Sequence, residues 1–224
     1  MSEMGETLPI PAGRTGTFPR VRGGRLGGII SLIQNLDEAR EAYLARMAEM
    51  EKVKTEAQTL TKELSEEGCD QCIYTQGMVT LQNIEGWSDI SVAYQFYICQ
   101  FPIHFQVMKI MEWTYGVAFD GFVPKECLLK ESKANYDQFF NSNGSLKFFI
   151  ALSKGNDGLF LEQATKQYEF AVQGMPKGRL EWYFMQPVSA NYAQDAFAMN
   201  GLKIPTFYKP MPANFTKDIF PQAK

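Results

Sequence analysis

Residues 29–67 contain neither proline nor glycine, and their apolar positions return with a heptad period. Ile29, Leu36, Tyr43, Met50, Ala57 and Leu64 stand seven apart, with Leu32, Ala39, Arg46, Val53 and Leu60 each three residues further on. Together they make an a/d seam, weakened at Ala39 and Arg46, while Glu38, Glu41, Glu49, Glu51, Lys52 and Lys62 fall outside it. The spacing predicts one long helix closed by Gly68, a residue suited to a C-cap. At 1.5 Å per residue it would run about 55 Å, more than the width of a domain of this size. A narrow apolar stripe on such a helix calls for cover, by a second copy, another subunit or a helix hairpin within the chain. Leu36, Tyr43, Met50, Leu60 and Leu64 are the expected contact residues.

The helix is preceded by glycine, proline and arginine. Residues 1–28 hold Pro9, Pro11, Pro19 and seven glycines, which break any periodicity, and Arg14, Arg20, Arg22 and Arg25 make the stretch locally basic. An extended basic arm is predicted, with Arg20, Arg22 and Arg25 as contacts. Lys+Arg 22 against Asp+Glu 25 gives a net charge of −3, too balanced for a molecule-wide nucleic-acid footprint. Salt bridges to an acidic neighbouring subunit are therefore favoured over nucleic acid as the arm's partner.

After Gly68 the apolar period falls to two. Residues 72–84, 90–100 and 105–115 alternate, with Gly86-Trp87-Ser88-Asp89 as a turn between the first two. Further strands are predicted at 146–152, 159–161, 166–172 and 180–185, and residues 126–140 read as helical. The remaining residues, 188–224, combine Pro205, Pro210, Pro212 and Pro221 with Phe207, Tyr208, Phe215 and Phe220, the pattern of an extended arm laid into an apolar groove. The fold class is then α+β: a long N-terminal coiled-coil-type helix, a mainly antiparallel β domain of sandwich or barrel type, and extended arms at both ends. The boundaries are 1–28, 29–68, 69–187 and 188–224.

Candidate chemistry is sparse. Cys69-Asp70-Gln71-Cys72 has the spacing of a metal or redox pair, and Cys99 and Cys127 would have to complete a four-cysteine zinc site. The close pair is not repeated, so half-buried structural cysteines are favoured. His104, the single histidine, sits between Ile103 and Phe105 and reads as a structural residue. The run Gly23–Gly28 leads into a helix but lacks the strand and the Lys-Ser or Lys-Thr of a phosphate-binding loop. Acid and base carboxylates would have to come from Asp89, Glu112, Asp120, Glu126, Asp157, Glu162, Glu169 and Glu181. Glu112 and Glu181, beside Trp113 and Trp182, are the first to test for raised pKa values.

Arm, helix, sheet domain and aromatic tail each call for a partner surface. The expected function is accordingly that of a non-enzymatic assembly subunit, such as a virion component or part of a filament or secretion machine. No cofactor and no metal is expected, and the partners are copies of the chain or other subunits. With neither a signal peptide nor an apolar run long enough for a membrane span, its place is the cytoplasm or an assembled particle. The alternatives are a ligand-binding β domain, or an enzyme working through carboxylates or the Cys69/Cys72 pair.

Overall fold

The structure, a computed structural model, describes residues 25–154 and 158–221. The chain is α+β: a long N-terminal helix is followed by mostly antiparallel sheets. It divides into two compact units, residues 1–44 and 45–224. Helix α1 (Arg25–Glu66) begins in the first and ends in the second. In the first unit Leu36 and Tyr43 are each 62% exposed. In the second, the lower part of the heptad seam is covered from within the chain: Val53 and Ala57 are buried, and Met50, Leu60 and Leu64 pack against the main core. The helix ends at Glu66, and two residues on, at Gly68, a Cβ would overlap Thr75 Cγ2.

The second unit continues with β1 (Met78–Asn83), α2 (Asp89–Cys99), β2 (Ile103–His104), β3 (Lys109–Tyr115), β4 (Val117–Phe119), β5 (Gly121–Val123) and β6 (Leu128–Lys133). Then come α3 (Phe148–Lys154), α4 (Leu161–Ala171), β7 (Arg179–Phe184), α5 (Pro187–Met199), β8 (Thr206–Tyr208) and α6 (Phe215–Ile219). In the first sheet β3 is central, antiparallel to β1 along one edge and to β2 and β4 along the other. The second sheet has the order β5-β6-β7-β8. There β5 and β6 form an antiparallel pair, while β6, β7 and β8 run parallel. Parallel neighbours need a crossover, and the helices α3, α4 and α5 lie in those two connections. Trp113, Phe119, Phe122, Leu129, Trp182 and Phe184, from both sheets, share one core with Val53 and Ala57.

Five segments differ from the expected elements; the shortest, 159–161, is a turn leading into α4 and not a strand. Residues 90–100 form helix α2: Ser88 caps it by accepting from Ser91 N–H, and the buried Val92, Gln95 and Cys99 recur at helical spacing. The expected hairpin turn at 86–89 is the entry to that helix. Residues 146–152 and 166–172 fall largely in α3 and α4, where short apolar stretches satisfy both periods and crossover length decides. Conversely, 126–140 contains β6, because Leu128 and Leu129 are enclosed between two sheet neighbours. At the end of the chain Phe207 stacks on Tyr183 at 5.3 Å, Phe215 meets Tyr97 at 5.1 Å and Phe220 meets Phe105 at 5.0 Å, while Tyr208 is exposed.

Candidate active site

Strand β6 reads Leu-Leu-Lys-Glu-Ser-Lys, and its strand period places Glu131 and Lys133 on one face. Both are buried, Glu131 to 2% exposure. The partner strand β5 begins with Gly121 opposite Lys130, so Asp120, one residue earlier, arrives beside Glu131. Gly121 permits this approach: a Cβ there would sit 2.7 Å from Cys99 Cβ on α2. Asp120 is then fixed by Ser132, whose N–H and Oγ–H both donate to Oδ2, at 2.8 and 2.6 Å.

Helix α4 supplies the other side. Gln163 and Gln167 are one turn apart and face the same carboxylate. Glu131 Oε1 accepts from Lys133 Nζ at 2.5 Å and from Gln163 Nε2 at 2.8 Å. Its Oε2 accepts from Gln167 Nε2 at 2.7 Å, and Lys133 Nζ also donates to Gln163 Oε1 at 2.8 Å. The Lys133 ammonium lies over the Trp182 ring, 4.9 Å from its centroid. Every polar atom of the Glu131–Lys133 pair is thereby directed, as a buried pair requires.

Asp120, Glu131, Ser132, Lys133 and Gln163 line a cavity of about 380 Å³ together with Glu112 of β3 and with Gln82, Trp87, Ser91 and Gln95. Asp120 opens onto the cavity, yet its carboxyl is packed round deeply enough for burial to raise it to about 8, helped by the Glu131 charge. Burial likewise lifts Glu112 to about 7, against a stabilising bond from Thr80. Burial alone would lower the Lys133 ammonium, but Glu131, Tyr136 and Asp120 outweigh it and hold the group above its ordinary range. Gln95 is 3% exposed and its Nε2 has no partner among the described residues, and Gln82 Oε1 is likewise buried without one among them. An unpaired buried donor and an unpaired buried acceptor beside an acid–lysine cluster are what a polar ligand would satisfy.

Of the carboxylates singled out in the sequence, Glu112 and Asp120 come together in this cavity. Glu181 does not: it bonds Arg179 and Tyr183. Glu126 pairs with Arg179, Asp89 lies in the first turn of α2, Glu162 pairs with Lys166, Glu169 is exposed on α4, and Asp157 lies outside the described residues. His104 Nε2 is 3.7 Å from Glu56 and takes no part. The four cysteines do not assemble: Cys72 is bonded to Cys127, Cys69 is close to both, and Cys99 is buried in another cluster. Arg20 and Arg22 lie outside the described residues, and Arg25 opens α1. The residues that sequence reasoning missed are Glu131, Lys133, Gln163, Gln167, Gln82 and Gln95. A signal existed, an acid and a lysine two apart in an apolar strand, eleven residues after Asp120. Read as helix, 126–140 would turn Glu131 and Lys133 to opposite sides and hide the coincidence.

Residues 91–187 match the model of the family described as restriction endonuclease fold toxin 5. The matched stretch contains Gln95, Glu112, Asp120, Glu131, Lys133, Gln163 and Gln167. No curated protein matches the chain. The family match overturns the expectation of a non-enzymatic assembly subunit, and with it the virion, filament and secretion-machine readings: it points to an enzyme, a nuclease-type toxin. The inference from uncovered apolar surface failed because it weighed surfaces and not the acid–lysine cluster. Among the described residues no helix is long and apolar enough to cross a membrane.

Proposed function

We propose that the chain is a nuclease toxin that hydrolyses phosphodiester bonds in the Asp120–Glu131–Lys133 cavity. The observation that carries this reading is Glu131 and Lys133 on one face of β6 with Asp120 against them, inside the stretch that matches a restriction endonuclease fold toxin family.

A restriction endonuclease fold implies a divalent cation, and the donor set fits one. Carboxylate oxygens are the ligands of hard cations, and magnesium needs only one or two of them, the remainder being water and substrate phosphate. Asp120 and Glu131 would hold the ion, with Glu112 on the same cavity. Of the two Asp120 oxygens, only Oδ2 has a hydrogen-bond partner among the described residues. The raised Asp120 and Glu112 show a site in which added positive charge is favourable. When bound, such an ion supplies polarisation of the phosphate and a more acidic water.

The chain's own groups do the rest. Lys133, held protonated, is an electrostatic group and not a base: it faces the negative charge that builds on the phosphate oxygens as water adds. Gln163 and Gln167 keep Glu131 oriented, as supporting residues do around a ligating carboxylate. Glu112, poised near neutral pH, can take a proton from the attacking water or return one to the leaving oxygen. Gln95 and Gln82 offer one donor and one acceptor to the substrate.

The test is induced expression of the chain in bacterial cells, reading DNA and RNA integrity on gels. The wild type should fragment at least one of the two polymers and arrest growth, and Glu131→Gln should spare both. Intact DNA and RNA under wild-type expression, or fragmentation undiminished in Glu131→Gln, would overturn the reading.

A further inference from the structure

Three sulfurs lie outside the hydrolytic cavity, those of Cys69, Cys72 and Cys127, all within 4.8 Å of one another. Two tight turns bring them together. Cys72 N–H bonds Cys69 O at 3.1 Å, Cys127 N–H bonds Pro124 O at 3.1 Å, and Cys69 N–H joins the turns by bonding Pro124 O at 3.3 Å. Lys177 Nζ bonds the Asp70 carbonyl inside the first turn. The bonded pair is shut away from solvent, with Cys72 5% and Cys127 1% exposed, whereas Cys69 is only half-buried. A crosslink needs two cysteines. The third, facing solvent on one side and the disulfide on the other, is unexplained by stapling alone.

Exchange requires a thiolate to reach a disulfide sulfur, so access limits its rate. A dissolved thiol meets protein at both sulfurs of the bonded pair, while Cys69 is already within reach. We propose that Cys69 is a relay thiol, an exchange site for dithiol reductants that makes the buried Cys72–Cys127 disulfide reducible. Cys69 gives its proton to solvent and attacks Cys72 Sγ. The Cys69–Cys72 bond forms, the Cys72–Cys127 bond breaks, and Cys127 leaves as a thiolate that takes up a proton. A crosslink spanning 55 residues is replaced by a local one within a single turn. The dithiol then attacks Cys69 Sγ, and Cys72 departs as a thiolate and is protonated. The second sulfur of the dithiol closes on the first and releases Cys69, so the reductant ends as a cyclic disulfide, having given two electrons.

The consequence falls on the catalytic strand. Cys127 immediately precedes β6, and its carbonyl accepts from Arg179 N–H at 2.9 Å where β6 and β7 begin to pair. Opening the long crosslink frees the root of the strand that carries Glu131 and Lys133.

The test follows oxidised protein during treatment with dithiothreitol, with acid quenching, alkylation and peptide mapping. The wild type should start with linked Cys72–Cys127 peptides and pass through a Cys69–Cys72 species. In Cys69→Ser and Cys69→Ala, loss of the Cys72–Cys127 link should slow by about 20-fold or more, and in denaturant the variants and the wild type should react alike. Cys99→Ser should react at the wild-type rate. Equal rates in the folded wild type and the Cys69 variants, no Cys69-containing disulfide at any time, or no Cys72–Cys127 link at the start would overturn the proposal.

Discussion

Asp120 sits where two effects act in the same direction. Burial and the Glu131 charge both favour its protonated form, holding it to about 8 in the folded chain against about 4 for a free aspartate. Because the folded value is the higher one, the stabilising contribution is complete below about pH 4, fades as the pH rises and is gone above about pH 8. Asparagine mimics the protonated acid and escapes that loss. Asp120→Asn should therefore be more stable than wild type at pH 8.5, by about 1–3 kcal/mol in urea melts, with a smaller difference at pH 4. Magnesium should raise the wild-type melting temperature at pH 8.5 and leave Asp120→Asn unmoved. A difference that does not change with pH would show that the Asp120 carboxyl is not in conflict with its surroundings. The variant should also lose the proposed nuclease activity, stability and function being opposed at this one carboxyl.

At the scale of elements, the long helix, the central strand β3 and strand β7 were legible because each has one dominant period or is enclosed on both faces. Helix α2 was not, since Ile90, Val92, Tyr94, Phe96 and Ile98 alternate as well as any strand. Only the cap at Ser88 and Ser91 distinguishes the two, and Ser88 with its neighbours suits a hairpin turn equally well. The exchange of strand for helix at 126–140 cost more, because it dispersed the site. The carboxylates Asp120 and Glu112 could be named as candidates, but bringing them to Glu131 depends on the β5–β6 register and on α4 crossing over, which no local pattern encodes. Element spacing also makes a prediction at Gly121, where α2 and β5 touch. Gly121→Ala should destabilise by about 1–3 kcal/mol in thermal or urea melts, by overpacking against Cys99. It should also depress cleavage, since it displaces the residue after Asp120. An unchanged melt would mean that α2 and β5 yield to one another freely.

At the scale of the molecule, part of the apolar surface expected to need partners is covered by the chain itself: the lower heptad seam meets the main core, and Phe215 and Phe220 meet aromatic rings of the same chain. Leu36 and Tyr43 stay exposed. The balanced charge that argued against nucleic acid is a property of the sum, whereas the proposed hydrolysis would need charge only at the cavity, whose lining includes Glu112, Asp120, Glu131 and Lys133. The most direct measurement is single-turnover cleavage of an end-labelled oligonucleotide with magnesium present, comparing wild type with Lys133→Met, each first shown to be folded by near-UV circular dichroism. Cleavage by the wild type is expected, with a loss of about 100-fold or more in the variant. A folded Lys133→Met that cleaves at the wild-type rate, or a folded wild type that cleaves neither a DNA nor an RNA oligonucleotide, would contradict it.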